Sequence, residues 1–186
     1  LSAGWEFMGH GYVQGPMHKV DDQAQAIRRT VDAIRSFTGR APRGWESPGL
    51  TETDETIDHL SAAGIEYVAD WVADDQPAWV HASPRPLVSV PYTLEINDIP
   101  LMALQHHRSD ELYHRGVLQL ERLWQDSARS ARVMAISVHP YITGVPHRIG
   151  AFEQLLDAVL AKPEVSVMTG ERIADWYKER VPAEGT

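Results

Sequence analysis

The stretch that decides the fold reads Val133-Met134-Ala135-Ile136-Ser137-Val138-His139, and it continues as Pro140-Tyr141-Ile142-Thr143-Gly144-Val145-Pro146-His147-Arg148. The apolar run at its start predicts a buried strand over 132–138, and a helical pattern follows from Ile149. In parallel α/β folds, functional side chains lie where strands end in loops. His139 stands at such a position, although a lone histidine there more often does no more than end a strand.

Outward from this stretch, predicted strands alternate with predicted helices about six times, which implies parallel strands joined by right-handed crossovers. Neither GxGxxG nor GxxxxGK[ST] occurs, so a barrel is favoured over a nucleotide-binding sheet. Thr51 is the predicted N-cap of the second helix, Gly39 the residue that ends the first, and 92–108 a long loop. The predicted strands are 5–10, 42–46, 65–70, 87–91, 132–138 and 165–168, and the predicted helices start near 22, 51, 109, 149 and 169.

The composition is that of a globular domain, and we expect a single domain over 1–186. Of its 186 residues, 43% are hydrophobic and 23% are charged. A net charge of −9, with no basic cluster, argues against a nucleic-acid partner. No apolar run approaches the ~20 residues of a membrane helix, and the lack of cysteine excludes disulfides. We therefore expect a cytoplasmic protein with a small-molecule partner.

Polar side chains gather where the predicted strands end. Each has an ordinary structural explanation: Asp75 in a solvated turn, Glu46 as a helix cap, and His10 bonded to a backbone carbonyl. Taken together, two histidines and several carboxylates provide the groups for acid–base hydrolysis or for a single metal site. Aromatic residues there either wall a pocket or belong to the core. The candidate residues are His10, Trp45, Glu46, Asp70, Asp75, Asn97, Asp98, His139 and Tyr141.

Three segments resemble the polysaccharide deacetylase superfamily, whose members hydrolyse amide C–N bonds on a distorted (β/α)7 barrel. Glu6-Phe7-Met8-Gly9-His10 is similar to that family's metal-binding strand, the segment from Thr38 to Gly49 is similar to its T-G…R-P-P-Y-G motif, and His139 matches its late histidine. The resemblance implies that His139 is the general acid that protonates the leaving nitrogen. It also implies that His10 binds a divalent metal, zinc being the expected ion.

Two departures from the family pattern bear on that metal and on the barrel. The family's H-x-x-x-H reads His10-Gly11-Tyr12-Val13-Gln14 here, and an amide is a poor zinc ligand, so His18 is the remaining candidate for a second ligand. Either one metal or none is therefore expected. The family strand that ends in an Asp pair has no counterpart. We expect an N-terminal companion segment, a partner chain or a homo-oligomer to cover the edges that its absence exposes.

Three further segments resemble the allantoinase-like and cyclic-imide-hydrolase-like branch of the superfamily. They are Asp70 to Trp79, similar to D-x-x-x-D-D-x-P-x-W, Val90 to Asp98, similar to P-Y-[ST]-L-x-x-N-D, and His139 to Arg148, similar to H-x4-G-x-P-x-R. This resemblance implies an enzyme that opens a small cyclic ureide or imide. His10 would polarise the carbonyl, Glu46 would act as base or position His10, and Asp70, Asp75, Asn97 and Asp98 would bind the ring.

Two alternatives from other classes stay open. One is a metal-dependent deacetylase of N-acetylglucosamine polymers, which bound zinc and activity on acetylated oligomers would favour. The other is a non-catalytic or split chain that needs a partner to supply the missing strand.

Overall fold

In the computed structural model the described residues are 2–183, and residue 1 and residues 184–186 lie outside them. The contacts between residues divide the chain into two compact units. The first unit comprises 2–71, 77–90 and 168–183, and the second comprises 72–76 and 91–167. That 1–186 behaves as a single domain stays a prediction. The helices and strands are α1 (Gln23–Thr38), β1 (Gly44–Trp45), α2 (Asp54–Ala62), β2 (Tyr67–Val68), β3 (Ala78–Val80), β4 (Leu87–Ser89), α3 (Glu111–Asp126), α4 (Ile149–Ala161) and α5 (Gly170–Arg180).

A small sheet organises the first unit, with strand order β1-β2-β4-β3. As predicted, β1, β2 and β4 run parallel. The sequence analysis missed β3, which pairs antiparallel with β4. A buried cluster that includes Ile27, Trp45 and Leu60 joins this sheet to α1 and α2. A second cluster, around Tyr67 and Ala174, packs α5 against it.

Helices dominate the second unit. Its core is a cluster of buried side chains around Ile96, Leu112 and Leu155, with Val138 partly buried against it. Helices α3 and α4 pack closely because Gly116 of α3 has no side chain: a Cβ atom there would lie 2.6 Å from the Leu155 side chain. No helix within residues 2–183 is long and apolar enough to cross a bilayer.

Three predicted strands are not strands in the structure. Within 5–10 only Gly9 pairs, in an isolated bridge with Trp45, and within 132–138 only Ser137 pairs, with Asn97. Residues 165–168 form no strand. Alternating apolar residues favour extended backbone, but a strand also needs a neighbouring backbone to pair with along its length, and that requirement is not local.

The five predicted helices are present in the structure. Two details differ from the prediction: the N-cap of α2 and the long loop that follows β4. Asp22 caps α1 through its side chain, Gly39 ends it in the left-handed conformation, and α4 covers the predicted range. The N-cap of α2 is Thr53, which forms a capping box with Thr56, and not Thr51. The long loop predicted at 92–108 contains a π-helical turn at Ile99–Leu104. A capping box depends on side-chain geometry, so the two-residue shift of the N-cap from Thr51 to Thr53 is decided in three dimensions.

Candidate functional site

His139 is held by the carboxylate of Asp98 in the second unit. Asp98 Oδ1 lies 2.6 Å from His139 Nδ1, and Oδ2 accepts the backbone N–H of His139 at 2.6 Å. The hydroxyl of Thr143 donates to the same Oδ2, also at 2.6 Å. The Asp98 side chain is 0% exposed, whereas that of His139 is 26% exposed. A fully buried carboxylate thus has its hydrogen bonds satisfied by the residue that it orients and by a residue four positions further on.

The backbone brings these two residues together through a short parallel pairing. Ser137 N–H donates to the carbonyl of Ile96 at 3.1 Å, and Asp98 N–H donates to the carbonyl of Ser137 at 3.2 Å. Asn97 fixes the start of the turn that follows, since its Oδ1 accepts the N–H of Ile99 at 3.1 Å. Asn97 is buried, so its side chain supports the loop that carries Asp98.

The loop after His139 is a tight turn that returns a hydroxyl to Asp98. The N–H groups of Ile142 and Thr143 both donate to the carbonyl of His139 at 2.9 Å. Gly144 N–H donates to the carbonyl of Pro140 at 3.0 Å, and a Cβ atom on Gly144 would lie 2.4 Å from that oxygen. Arg148 donates to the carbonyl of Ile142 at 3.2 Å. The glycine and the arginine of the H-x4-G-x-P-x-R segment therefore both stabilise the turn.

This arrangement determines which ring nitrogen of His139 is available for chemistry. An ionised carboxylate accepts hydrogen bonds only, so Nδ1 carries a hydrogen and Nε2 is left for proton transfer. The same division of roles operates in Ser-His-Asp hydrolases, where a buried Asp holds the histidine tautomer and stabilises the imidazolium. The site is thus suited to donating a proton from Nε2 to a leaving group.

Two more of the predicted substrate-binding residues lie in the second unit. The Tyr141 ring centroid is 5.6 Å from that of His139, and Tyr141 is 68% exposed. Asp75 lines a cleft of about 420 Å³ together with Asp74, Tyr92 and Arg122. That both contact substrate stays a prediction.

The second predicted histidine, His10, lies in the first unit and is held differently. Its Nδ1 is 2.8 Å from the main-chain oxygen of Glu46. The Glu46 carboxylate is 3.9 Å from the same nitrogen, beyond hydrogen-bonding distance. The His10 side chain is 40% exposed and that of Glu46 is 25% exposed. The backbone-carbonyl contact considered for His10 in the sequence is therefore present, and it is the main chain of Glu46 that provides it.

Asp70 is a buried carboxylate bound to the residue that follows Glu46. Its Oδ1 accepts the N–H of Ser47 at 2.5 Å, and its Oδ2 accepts the Ser47 hydroxyl at 3.2 Å. Burial raises the pKa of Asp70 to about 7, and the nearby charges of Glu52 and Glu46 act in the same direction. Trp45 is 0% exposed and donates its indole N–H to Ser47 at 3.0 Å, which is the core position that the sequence left open for the aromatics.

A zinc ion implied by the resemblance needs three protein ligands. Within residues 2–183 there is no group of three or more His, Asp or Glu side chains that could hold a metal ion. His18, the candidate second ligand, is exposed on a short 3-10 turn at Met17–Lys19. The described residues therefore do not fit a complete zinc site.

Sequence reasoning missed three residues that shape these two histidine sites. Thr143 completes the shell of Asp98, and its position four residues after His139, in a Pro-Tyr-Ile-Thr-Gly turn, was the available signal. Ser47 connects Asp70 to the backbone next to Glu46. Burial raises the pKa of Glu52, whose Oε2 has no hydrogen-bond partner in the described part of the chain. Neither Ser47 nor Glu52 carries a local sequence signal for its role.

Solved structures share this fold closely. Puue allantoinase superposes with a TM-score of 0.89 at 22% identity, over 98% of this chain and 62% of that one. A Pseudomonas aeruginosa structure titled as a polysaccharide deacetylase gives a TM-score of 0.88 at 24% identity, over 98% of this chain and 62% of that chain. These likenesses confirm the predicted α/β fold, that of the deacetylase- and allantoinase-type barrels.

The curated relatives agree with this fold. A Schizosaccharomyces pombe protein assigned by name to the polysaccharide deacetylases is 28% identical over 87% of this chain and 56% of its own length. A Helicobacter pylori peptidoglycan deacetylase is 21% identical over 98% of this chain and 73% of its own length. No family model matches the chain. Relatives and structures together point to the polysaccharide deacetylase superfamily, and the chain spans just over half the length of the yeast relative.

Proposed function

We propose that this chain carries the acid side of a hydrolase that cleaves non-peptide amide C–N bonds. The observation that carries the proposal is the Asp98–His139 pair, a buried carboxylate at 2.6 Å from the Nδ1 of a partly exposed histidine. The names of the curated relatives, both deacetylases, support the reaction class. Because the chain covers 56% of the yeast relative, the activity of the whole protein belongs to this proposal.

In the proposed reaction, water adds to the amide carbonyl carbon and gives up a proton to a base. The tetrahedral intermediate then expels nitrogen: the C–N bond breaks, its electron pair stays on nitrogen, and Nε2 of His139 delivers the proton that neutralises it. The products are a carboxylate and a free amine or amide. We assign the base to Glu46 and carbonyl polarisation to His10, as the sequence predicts.

For the substrate we favour a small cyclic ureide or imide. Support comes from the loop of Gly144 and Arg148, which matches the cyclic-amide branch in sequence and shapes the turn that holds Thr143 against Asp98. The runner-up, deacetylation of an N-acetylated polysaccharide, is favoured by the names of both curated relatives.

The test compares two substrate panels with one protein. Allantoin, hydantoin and succinimide form the ring panel, and N-acetylglucosamine oligomers form the acetyl panel. We expect ring opening, reduced ~10²-fold or more in His139→Ala, the scale of a lost general acid. Acetate release without ring opening would replace the favoured substrate by the runner-up. Turnover of either panel that His139→Ala leaves unchanged would remove His139 from the mechanism.

A further inference from the structure

One peptide group lies between two side chains of the first unit. The carbonyl oxygen of Glu46 is 2.8 Å from His10 Nδ1, and the N–H of Ser47 donates to Asp70 Oδ1 at 2.5 Å. That oxygen and that nitrogen belong to the same planar peptide unit. A continuous row of hydrogen bonds therefore runs from the Asp70 carboxylate, through the Glu46–Ser47 peptide, to the His10 ring.

At one end of this row, the Asp70 side chain is buried and accepts hydrogen bonds through both of its oxygens. Asp70 is 2% exposed, and its second oxygen accepts the Ser47 hydroxyl at 3.2 Å. That hydroxyl oxygen in turn accepts the indole N–H of Trp45, a side chain buried in the core. Burying an ionised carboxylate costs folding free energy, because the group loses its hydration. A contribution to stability therefore does not explain why Asp70 is at this position.

The other end determines the chemistry of His10. A carbonyl oxygen only accepts hydrogen bonds, so His10 Nδ1 carries the hydrogen and Nε2 presents its lone pair outward. A carboxylate on the N–H side of a peptide polarises it and makes its oxygen a stronger acceptor, as hydrogen bonds in a chain reinforce one another. The Glu46 side chain does not compete for this role, since its carboxylate is 3.9 Å from Nδ1.

We propose that Asp70 is a positioning residue, which holds His10 in its Nδ1–H tautomer and fixes the ring orientation through the Glu46–Ser47 peptide. The contribution of this arrangement to catalysis rests on the proposed function, because it requires His10 to act on substrate. The tautomer itself does not depend on any activity. Asp70 thus acts on His10 without touching it.

The test reads the tautomer of His10 directly. Protein labelled with ¹⁵N-histidine is examined by NMR at pH 8.5, where Asp70, with its pKa raised to about 7 by burial and by the charges of Glu52 and Glu46, is ionised. Loss of a signal in His10→Gln assigns the resonances. Asp70→Asn keeps the shape and removes the charge. Asp58→Asn is the matched control, because Asp58 also accepts a serine N–H, that of Ser83 at 2.7 Å, away from His10.

We expect wild type and Asp58→Asn to show a protonated Nδ1 and an unprotonated Nε2. In Asp70→Asn, the Nδ1 resonance shifts towards the unprotonated range as the Nε2–H tautomer gains population. A His10 ring protonated at Nε2 in the wild type would overturn the proposal before any variant is made. An unchanged tautomer in folded Asp70→Asn would overturn it as well.

Asp70→Ser replaces Asp70→Asn where the latter does not fold, since a hydroxyl still accepts the Ser47 N–H without charge. The activity arm is separate: in a protein that hydrolyses a substrate, Asp70→Asn lowers kcat while Asp58→Asn does not. A protein that is inactive on every substrate yet shows the expected tautomer shift contradicts the proposed function and leaves the role of Asp70 standing.

Discussion

His10 and His139, the two histidines of the candidate site, are both held through Nδ1 but by different kinds of acceptor. His139 meets a carboxylate directly, at 2.6 Å from Asp98, which is fully buried. His10 meets a main-chain carbonyl, and its carboxylate, Asp70, acts from the far side of a peptide group. A carboxylate in direct contact stabilises the positively charged ring of a proton donor. A main-chain carbonyl orients the ring but carries no net charge. The difference favours His139 as the proton donor and His10 as a group of fixed orientation.

The largest expected effect comes from breaking the direct contact. In Asp98→Asn only one of the two terminal side-chain atoms can still accept a hydrogen bond. The amide N–H therefore faces either the Nδ1–H or the backbone N–H of His139. We expect turnover to fall ~10³-fold, somewhat less than the ~10⁴-fold loss that follows when the carboxylate of a Ser-His-Asp triad is neutralised. Steady-state kinetics measures it, with Asp110→Asn, a surface aspartate of the same unit that pairs with Arg108, as control. Turnover near the wild-type value in Asp98→Asn would show that the direct carboxylate contact does not set His139 apart from His10 in catalysis.

The second effect is a pH dependence of stability that comes from Asp70. The pKa of Asp70 is about 7 in the fold and 3.8 in the unfolded chain, so the folded state prefers the protonated form. Its contribution to stability is therefore fully present below about pH 4 and is lost as the pH rises through 7. The loss is at most about 4 kcal/mol, from 1.4 kcal/mol for each pKa unit.

Urea unfolding at pH 5 and pH 8.5 measures this as a difference between proteins. Asp70→Asn should gain stability relative to wild type at the higher pH, whereas Asp58→Asn should keep the wild-type difference between the two pH values. Parallel pH dependence in wild type and Asp70→Asn would mean that Asp70 stays ionised in the fold, like a fully satisfied carboxylate.

A smaller effect tests the turn behind His139. The Cβ of Gly144→Ala would meet a backbone oxygen, that of Pro140, at 2.4 Å, and a backbone atom yields less easily than a side chain. We expect a loss of ~1–3 kcal/mol in the free energy of unfolding, typical of overpacking, with reduced turnover as Thr143 moves from Asp98. Gly15→Ala is the control, because a Cβ there meets nothing within 4 Å. Equal stability of the two variants would show that the turn adapts.

The smallest effect on stability is expected for the Glu46 side chain. Its carboxylate lies 3.9 Å from His10 Nδ1 and both groups are partly exposed, so their ion pair contributes little to stability. In Glu46→Gln we expect the free energy of unfolding to change by less than ~0.5 kcal/mol. A large fall in turnover with unchanged stability is the result expected of a base, and unchanged turnover would remove the Glu46 carboxylate from the mechanism.

Part of the fold followed from local pattern alone. The helix α1 has its cap and its terminal glycine where the sequence predicts them, because a cap involves neighbouring residues. Strands depended on distant partners: the run at 132–138 forms no strand, and only Ser137 pairs, in an isolated bridge with Asn97. The alternating apolar residues at 165–168 predicted a strand, and no strand forms there.

Local sequence patterns were enough to indicate the superfamily, the succession of the helices with β1, β2 and β4, and His10 and His139 with their acidic companions. Tertiary structure alone decided which companion serves which histidine: Asp98, 41 residues from His139, touches it, while Asp70, 60 residues from His10, reaches it only through the Glu46–Ser47 peptide. The physical reason is that hydrogen bonds depend on distance and direction between atoms. Positions far apart in the chain acquire both only when the backbone has folded.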